Sequence, residues 1–299
     1  MARHRHEHGS TPDPRRPDPG AVAALRLTRT REAYRDHDLG TALLEAEELL
    51  DSEPDNIEAL ELLGDTELEL GHGREAGLVF DQLLELSPDE PLYLAGLAIA
   101  RFLHTDFLGA AEVAERALSH DDGLAEAHAY LGLSLERLGR FEEADEHLAR
   151  AAALDPKGWP EPPPIAEIPW TALVRSSLER LPEALRSFYE RVPIVFQRYP
   201  DLSVLRSVDP PISPLVLALY EGSPAAHEGE EEILPRSVRL FQANVRRFAH
   251  DLDRLTEDLS YALASEASDW LGLAPPDEEP DHDQDRAQAR DQEQEEEES

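Results

Sequence analysis

The sequence predicts an all-helical solenoid of four helix-turn-helix repeats, then a small α/β (α+β) domain, with disordered ends. Three observations carry this reading. Small residues and prolines recur every 34 positions through the first half of the chain. A Pro-rich stretch then breaks the helical pattern. Beyond it the order is helix, strands, helix, with no long βαβ series.

The period appears at several unrelated markers. Pro54 and Pro88 lie 34 residues apart, and Pro156 lies 102 beyond Pro54. Gly64 and Gly132 are separated by 68. Ala42, Ala76, Ala110 and Ala144 hold the 34-residue spacing throughout. Each Pro stops a helix. The alanines let the two helices of one repeat cross closely, and Gly64, Ala98 and Gly132 do so on the first helix. Phe80, with Ala46, Ala114 and Leu148 at the same offset, is expected on the buried face of the second helix. The register places repeats at 23–56, 57–90, 91–124 and 125–158 within a helical domain at 21–158. A generic helical bundle would not hold such a register.

This register resembles the tetratricopeptide (TPR) consensus. The resemblance implies a superhelix whose concave face is lined by the first helix of each repeat. The implied groove positions in repeat one include Arg31, Tyr34 and Arg35. In repeat two they are Glu58, Glu61, Asp65, Leu68 and Glu69; in repeat three, Leu92, Ala95, Ile99, Phe102 and Leu103. Repeat four supplies Glu126, Ala129, Leu133, Glu136 and Arg137. The groove would carry an acidic strip beside an apolar patch, facing a protein or peptide partner. The patch either binds a segment flanked by basic residues or is covered by the protein's own second domain; both readings stay open. Carboxylate-clamping TPRs use Lys, Arg and Asn in the groove; these positions are mostly acidic or apolar here, so that ligand is not inferred.

Composition narrows the partners. The chain has 299 residues, enough for about two domains, with net charge −36 and pI near 4.5. Such a chain repels nucleic-acid phosphates and anionic membranes, and neither is expected as a partner. It contains no cysteine, which excludes disulfides, thiolate metal sites and cysteine nucleophiles. The N-terminal MARHRHEHGSTPDPRRPDPG has no apolar core of a signal peptide, and a cytoplasmic location is expected. Arg is abundant against a single lysine, Lys157, a bias of high-GC bacterial coding sequences. Residues 1–20 are expected to be disordered, as is the acidic tail at 275–299 with its 12 acids and 2 arginines. His4, His6 and His8 alternate in the first of these and read as a solvated tail.

A stiff linker, WPEPPPIAEIP, occupies 159–169. The second domain, 170–274, opens with an amphipathic helix at Trp170–Tyr189 interrupted near Pro182. Val192–Tyr199 reads as a strand, Leu215–Tyr220 as a short, fully buried strand, and Val238–Phe241 as another. Leu252–Leu271 returns to helical period.

Four stretches resemble the small bacterial zincin-like metallopeptidases (minimal zincins): LPEALRSF, DPPISPLVLALYEG at 209–222, LPRSVRLF at 234–241 and SEASDWLGL at 265–273. That family carries His-Glu-x-x-His on a helix, then a Gly and an acidic third ligand. Two histidines four apart hold Zn²⁺ while the Glu takes a proton from metal-bound water. The alignment puts Ser265 and Asp269 at the His positions, Glu266 at the catalytic Glu, Gly272 at the Gly and Pro275 at the third ligand. The resemblance therefore implies the fold without the activity: a pseudoenzyme with no metal, cofactor or catalytic residue. The alternative is a divergent zinc metallopeptidase with non-standard ligands, for which His227 or His250 would have to reach Glu266 and Asp269. A third possibility is a purely structural scaffold. Trp159, Trp170 and Trp270 read as packing residues, with Trp270 filling space beside the altered motif.

Overall fold

The computed structural model describes residues 19–161, 169–222, 234–247 and 252–273. Residues 1–18 and 275–299 of the termini expected to be disordered, most of the Pro-rich linker, His227 and His250 lie outside the described residues, whereas Pro19 and Gly20 open a helix. The chain divides into two compact units, Met1–Leu138 and Gly139–Ser299.

The first unit holds seven helices among its described residues: α1 (Pro19–Arg35), α2 (Leu39–Leu50), α3 (Ile57–Glu69), α4 (Gly73–Leu86), α5 (Pro91–Leu103), α6 (Phe107–His120) and α7 (Ala125–Arg137). Each packs on the next in sequence. Their starts follow from capping chemistry. The Asp38, Asn56 and Asp106 carboxylate or amide oxygens accept from the amides of Thr41, Ala59 and Gly109, each at 3.1 Å, satisfying donors the first helical turn leaves free. Pro91 opens α5, where its missing N–H costs nothing.

The 34-residue period also appears in the backbone. His37, Gly71, Thr105 and Gly139 all have left-handed φ values, 56°, 76°, 64° and 80°. The first three sit in the turns between paired helices. There the Asp38, His72 and Asp106 amides reach back to the carbonyls of Ala33, Glu67 and Arg101 at 2.8–2.9 Å, closing the helix end. Two repeats use glycine for this turn; the other two hold His and Thr in a conformation that disfavours a side chain.

Packing follows the small-residue rule. Ala42, Ala76 and Ala110 are fully buried. The Phe80 ring of α4 lies over two glycines: a Cβ on Gly64 would stand 3.0 Å from it, and one on Gly96 only 2.3 Å. Phe80, Ala46 and Ala114 are buried as their offset requires. Helix α5, PLYLAGLAIARFL, is apolar on nearly every side and is buried from Leu94 to Ala100.

That burial corrects the expected apolar patch. Phe102 is fully buried, its ring centroid 5.4 Å from both Phe107 and Tyr130. Ile99 and Leu133 are buried too, Leu103 is half-buried, and only Leu92 is widely exposed, at 61%. Aromatic packing removes more apolar area from water than an open patch would, so Phe102 and Leu133 belong to the core.

The second unit begins with α8 (Phe141–Leu154), the helix that the repeat register assigns to repeat four. The Arg198 guanidinium lies 4.0 Å over its Phe141 ring. Beyond it come α9 (Trp170–Glu179), α10 (Glu183–Arg191), β1 (Ile194–Gln197), α11 (Leu202–Leu205), β2 (Ala218–Glu221), β3 (Ser237–Phe241), α12 (Gln242–Arg247) and α13 (Leu252–Leu271). Leu181-Pro182 separates α9 from α10, as expected of a proline at that place. The sheet order is β1-β3-β2. β1 runs parallel to β3 with Ile194 opposite Val238, and β2 antiparallel with Tyr220 opposite Val238. β3 is central and buried. β2 is an edge strand, buried at Ala218 and half-buried after it, so the fully buried strand expected at Leu215–Tyr220 is corrected. Leu255, Leu259 and Leu263 of α13 pack with Leu173, Val174, Val238 and Leu240 in one core.

The Phe80–glycine contact makes an energetic statement. Phe80→Ala should lower the unfolding free energy by about 3–4 kcal/mol, measured by urea denaturation. Gly96→Ala should destabilise the wild-type chain but cost much less in the Phe80→Ala background, because the ring it collides with is gone. At the exposed turn, His37→Gly should raise stability by about 1 kcal/mol by removing the left-handed penalty.

Candidate functional site

Two places carry the side chains singled out by sequence. The first lies on the face formed by α1, α3, α5 and α7. Residues three, four and eight apart on α3 share one side of that helix, so Glu58, Glu61, Asp65 and Glu69 form an acidic line. Arg31 of α1 pairs with Glu58, both side chains remaining over 40% exposed. The other acids meet mostly tyrosines. Tyr93 of α5 donates to Glu61 at 2.5 Å, and Tyr34 of α1 donates to Glu69. His37 also approaches Glu69, at 3.7 Å.

Neutral hydroxyls leave the carboxylate charge in place, and the electrostatics register the crowding. Asp65 is raised from 3.8 to about 6, first by burial, then by Glu126 of α7, Glu61 and Glu69. Asp65 itself remains exposed at the surface. The three tyrosines are all pushed up. Burial dominates each; the Glu69 hydrogen bond adds to Tyr34, the Glu61 hydrogen bond to Tyr93, and the Glu126 charge to Tyr130, which reaches about 12. Every one of these shifts opposes a further negative charge. Thus Tyr34, Glu61, Asp65, Glu69 and Glu126 converge as the repeat register expects. Tyr93 was not among the expected residues; its place at the third position of repeat three gave no signal without knowledge of the Glu61 contact.

The second place is the end of α13. Leu263 offers its carbonyl to the Tyr189 hydroxyl at 2.7 Å. Tyr189 and Tyr220 hydroxyls stand 2.5 Å apart. Because Tyr189 spends its proton on Leu263, Tyr220 is the donor in that pair. Trp270 is half-buried, its ring 5.5 Å from Tyr220. Ser265 is half-buried on the same helix, which carries no histidine. Glu266 and Asp269 lie within α13, one turn apart. Gly272 follows the helix with φ +66°, and the Leu273 amide reaches back to the Ser268 carbonyl at 2.8 Å. That is a left-handed helix cap, which favours glycine for reasons of backbone alone. Nearby, Glu221 accepts from the Ser237 hydroxyl at 2.6 Å and pairs with Arg239; these contacts, Ser237 first, hold its carboxyl below the usual range. Among the described residues no group of three or more His, Cys, Asp or Glu is arranged to hold a metal. No helix among them is long and apolar enough to cross a membrane.

Family models match the repeat region and the C-terminal part separately. Tetratricopeptide repeat models match residues 27–91 and 125–157, and a zincin-like metallopeptidase model matches 189–282. The chain is a TPR array joined to a zincin-like domain. No curated protein matches the chain. Among solved structures it is similar to the MamA protein (21% identity, TM-score 0.42, covering 46% of this chain and 75% of that one). It is also similar to MamA 41-end from Desulfovibrio magneticus RS-1 (18%, TM-score 0.41, 46% and 76%). A third is a thermophilic TPR protein in Thermus thermophilus (24%, TM-score 0.40, 44% and 74%).

The raised Asp65 carboxyl links stability to pH. Its folded value lies above its unfolded one, so the associated stability is full below about pH 4 and is lost as pH rises through about 6. Asp65→Asn should therefore melt above the wild type at pH 7.5, and the gap should close toward pH 4.

Proposed function

We propose that this protein is a non-catalytic adaptor that captures a basic segment of a protein partner on the acidic face of its TPR array. The observation that carries the reading is the gathering of Glu61, Asp65, Glu69 and Glu126 on one face, where burial first and the neighbouring carboxylates second raise the Asp65 carboxyl. A face that resists its own ionisation gains most from an incoming cation. A Lys or Arg side chain there would lower the Asp65 pKa and replace like-charge repulsion with a charge-assisted hydrogen bond. Arg31, Tyr34, Glu58 and Leu92 border this face and are the remaining contacts, with Leu103 and Arg137 partly accessible further along. Leu92 supplies an apolar contact for the partner's own side chains. The strong acidity of the whole chain would also speed the encounter with a basic partner.

In this reading the zincin-like domain holds or caps without cutting. A zinc peptidase needs three good ligands and an open position. Ser265 offers a neutral hydroxyl, Pro275 no side-chain donor, and α13 no imidazole. Glu266 and Asp269 would remain as hard oxygen donors that suit other cations better. Gly272, the second motif residue retained, is accounted for by its helix cap.

The test is direct binding of a short Arg-rich peptide to the full chain, followed by fluorescence anisotropy, beside its Glu-substituted counterpart. The Arg peptide should bind, weaken steeply with salt, and lose at least about tenfold in affinity on Glu61→Lys with Asp65→Lys, a loss of about 1.4 kcal/mol. The Glu peptide should gain on the same variant. Equal affinity of both peptides for both proteins would overturn the reading.

A further inference from the structure

The sheet of the second unit ends on a strand whose outer side is unpaired. Val238 donates its amide to the Pro193 carbonyl at 2.9 Å, and bonding to β3 then falls on alternate residues of β1. Val195 and Gln197 face β3, so the amides and carbonyls of Ile194 and Phe196 point to the opposite side. No described strand pairs with β1 there, and neither backbone has another partner among the described residues. Ile194 and Phe196 are half-buried, and Val195 is 46% exposed. We propose that a second copy of this chain pairs with this edge, β1 antiparallel to β1, joining two sheets into one about a two-fold axis through Val195.

The register selects this occupant. Outward-pointing residues must meet outward-pointing residues, and side chains must meet others on their own face of the sheet. Both rules are satisfied when Ile194 stands opposite Phe196 of the second copy and Val195 stands opposite itself. Ile194 and Phe196 then exchange both backbone bonds, as an aliphatic–aromatic pair on the face that carries the core. Trp170, half-buried with its ring 6.4 Å from Phe196, extends the apolar surface of that face. On the outer face Val195 meets Val195 as a non-hydrogen-bonded pair. β1 reads Ile-Val-Phe-Gln and holds no charge that would select a different partner or keep a like strand away. Arg198, next along the chain, falls opposite Val192 and not opposite another arginine. A lone peptide is the weaker occupant. It would lose its own chain freedom for the few bonds that a short strand offers, whereas a folded copy brings a strand already ordered. The contact is isologous, so it uses up the edge and closes at two copies.

The chain contains no cysteine, so Val195→Cys carries a single thiol. Facing Cα atoms of a non-hydrogen-bonded pair lie about 4.5 Å apart, within the span of a disulfide. Under mild oxidation Val195→Cys should give a covalent dimer at least about tenfold faster than Leu92→Cys, whose side chain is also exposed. Sedimentation equilibrium of the full chain should show a dimer at about 100 μM, well above the Kd of a micromolar interface. Val195→Lys and Val195→Glu each set like charge against like and should each weaken the dimer at least about tenfold. Mixing the two variants should restore a heterodimer. Both substitutions fall on an exposed side chain, so the circular dichroism spectrum should match that of the wild type. A chain that stays monomeric at that concentration, a dimer that survives Val195→Lys unchanged, or equal cross-linking of the two cysteine variants would overturn the inference.

Discussion

Close crossing of paired helices is the constraint on which the repeat array depends. It is met where side chains vanish: Ala42, Ala76 and Ala110 are fully buried, and Phe80 rests on Gly64 and Gly96. A bulky ring fits only because two neighbours have none. Helix ends then close by left-handed turns at one position per repeat, whether or not glycine occupies it. With crossing and turn fixed at a constant interval, every first helix presents the same side in the same direction. Residues distant in sequence, such as Tyr34 and Glu126, come within electrostatic reach of each other for that reason.

The acidic face is thus a by-product of the repeat that became chemistry through residue choice. The position of Asp65 is held in repeats three and four by Ile99 and Leu133, and these turn inward to satisfy α5 and α7. Repeat two holds acids, which cannot be buried unpaired and stay at the surface. Tyrosines rather than arginines meet Glu61 and Glu69, so the charge is oriented without being cancelled. This division leaves the apolar half closed on itself and the acidic half open, which is what the proposed capture of a basic segment rests on.

Much of this was legible in the sequence. The period at Pro54, Pro88 and Pro156 fixed the repeats, and Pro182 marked the break between α9 and α10. The acidic line from Glu58 to Glu69 followed from the groove positions that the TPR resemblance implies. Phe102 was misread because groove position and burial are separate properties: α5 is apolar all round, and an aromatic ring on such a helix finds Phe107 and Tyr130 before it finds a partner. The edge position of β2 was hidden because LVLALY looks equally apolar at the centre or the edge of a sheet. The turn at Thr105 gave no composition signal, since a β-branched residue disfavours a left-handed φ, and His37 gave only a weak one. Helices α11 and α12, of four and six residues, are too short to show a period.

In the zincin-like domain the end of α13 is organised by ordinary packing. Tyr189 and Tyr220 close a hydrogen-bond chain onto Leu263, Trp270 covers Tyr220, and Gly272 caps the helix. The domain is proposed to hold rather than cut, and the metal content of the protein tests that claim most directly. The sample is the full chain with His4, His6 and His8 replaced by Ala, so that the N-terminal histidines do not collect metal, purified without chelator and dialysed against zinc. Elemental analysis should find far less than one zinc per chain. About one tightly held equivalent, lost on Glu266→Gln with Asp269→Asn, would contradict the account and point to a working metallopeptidase.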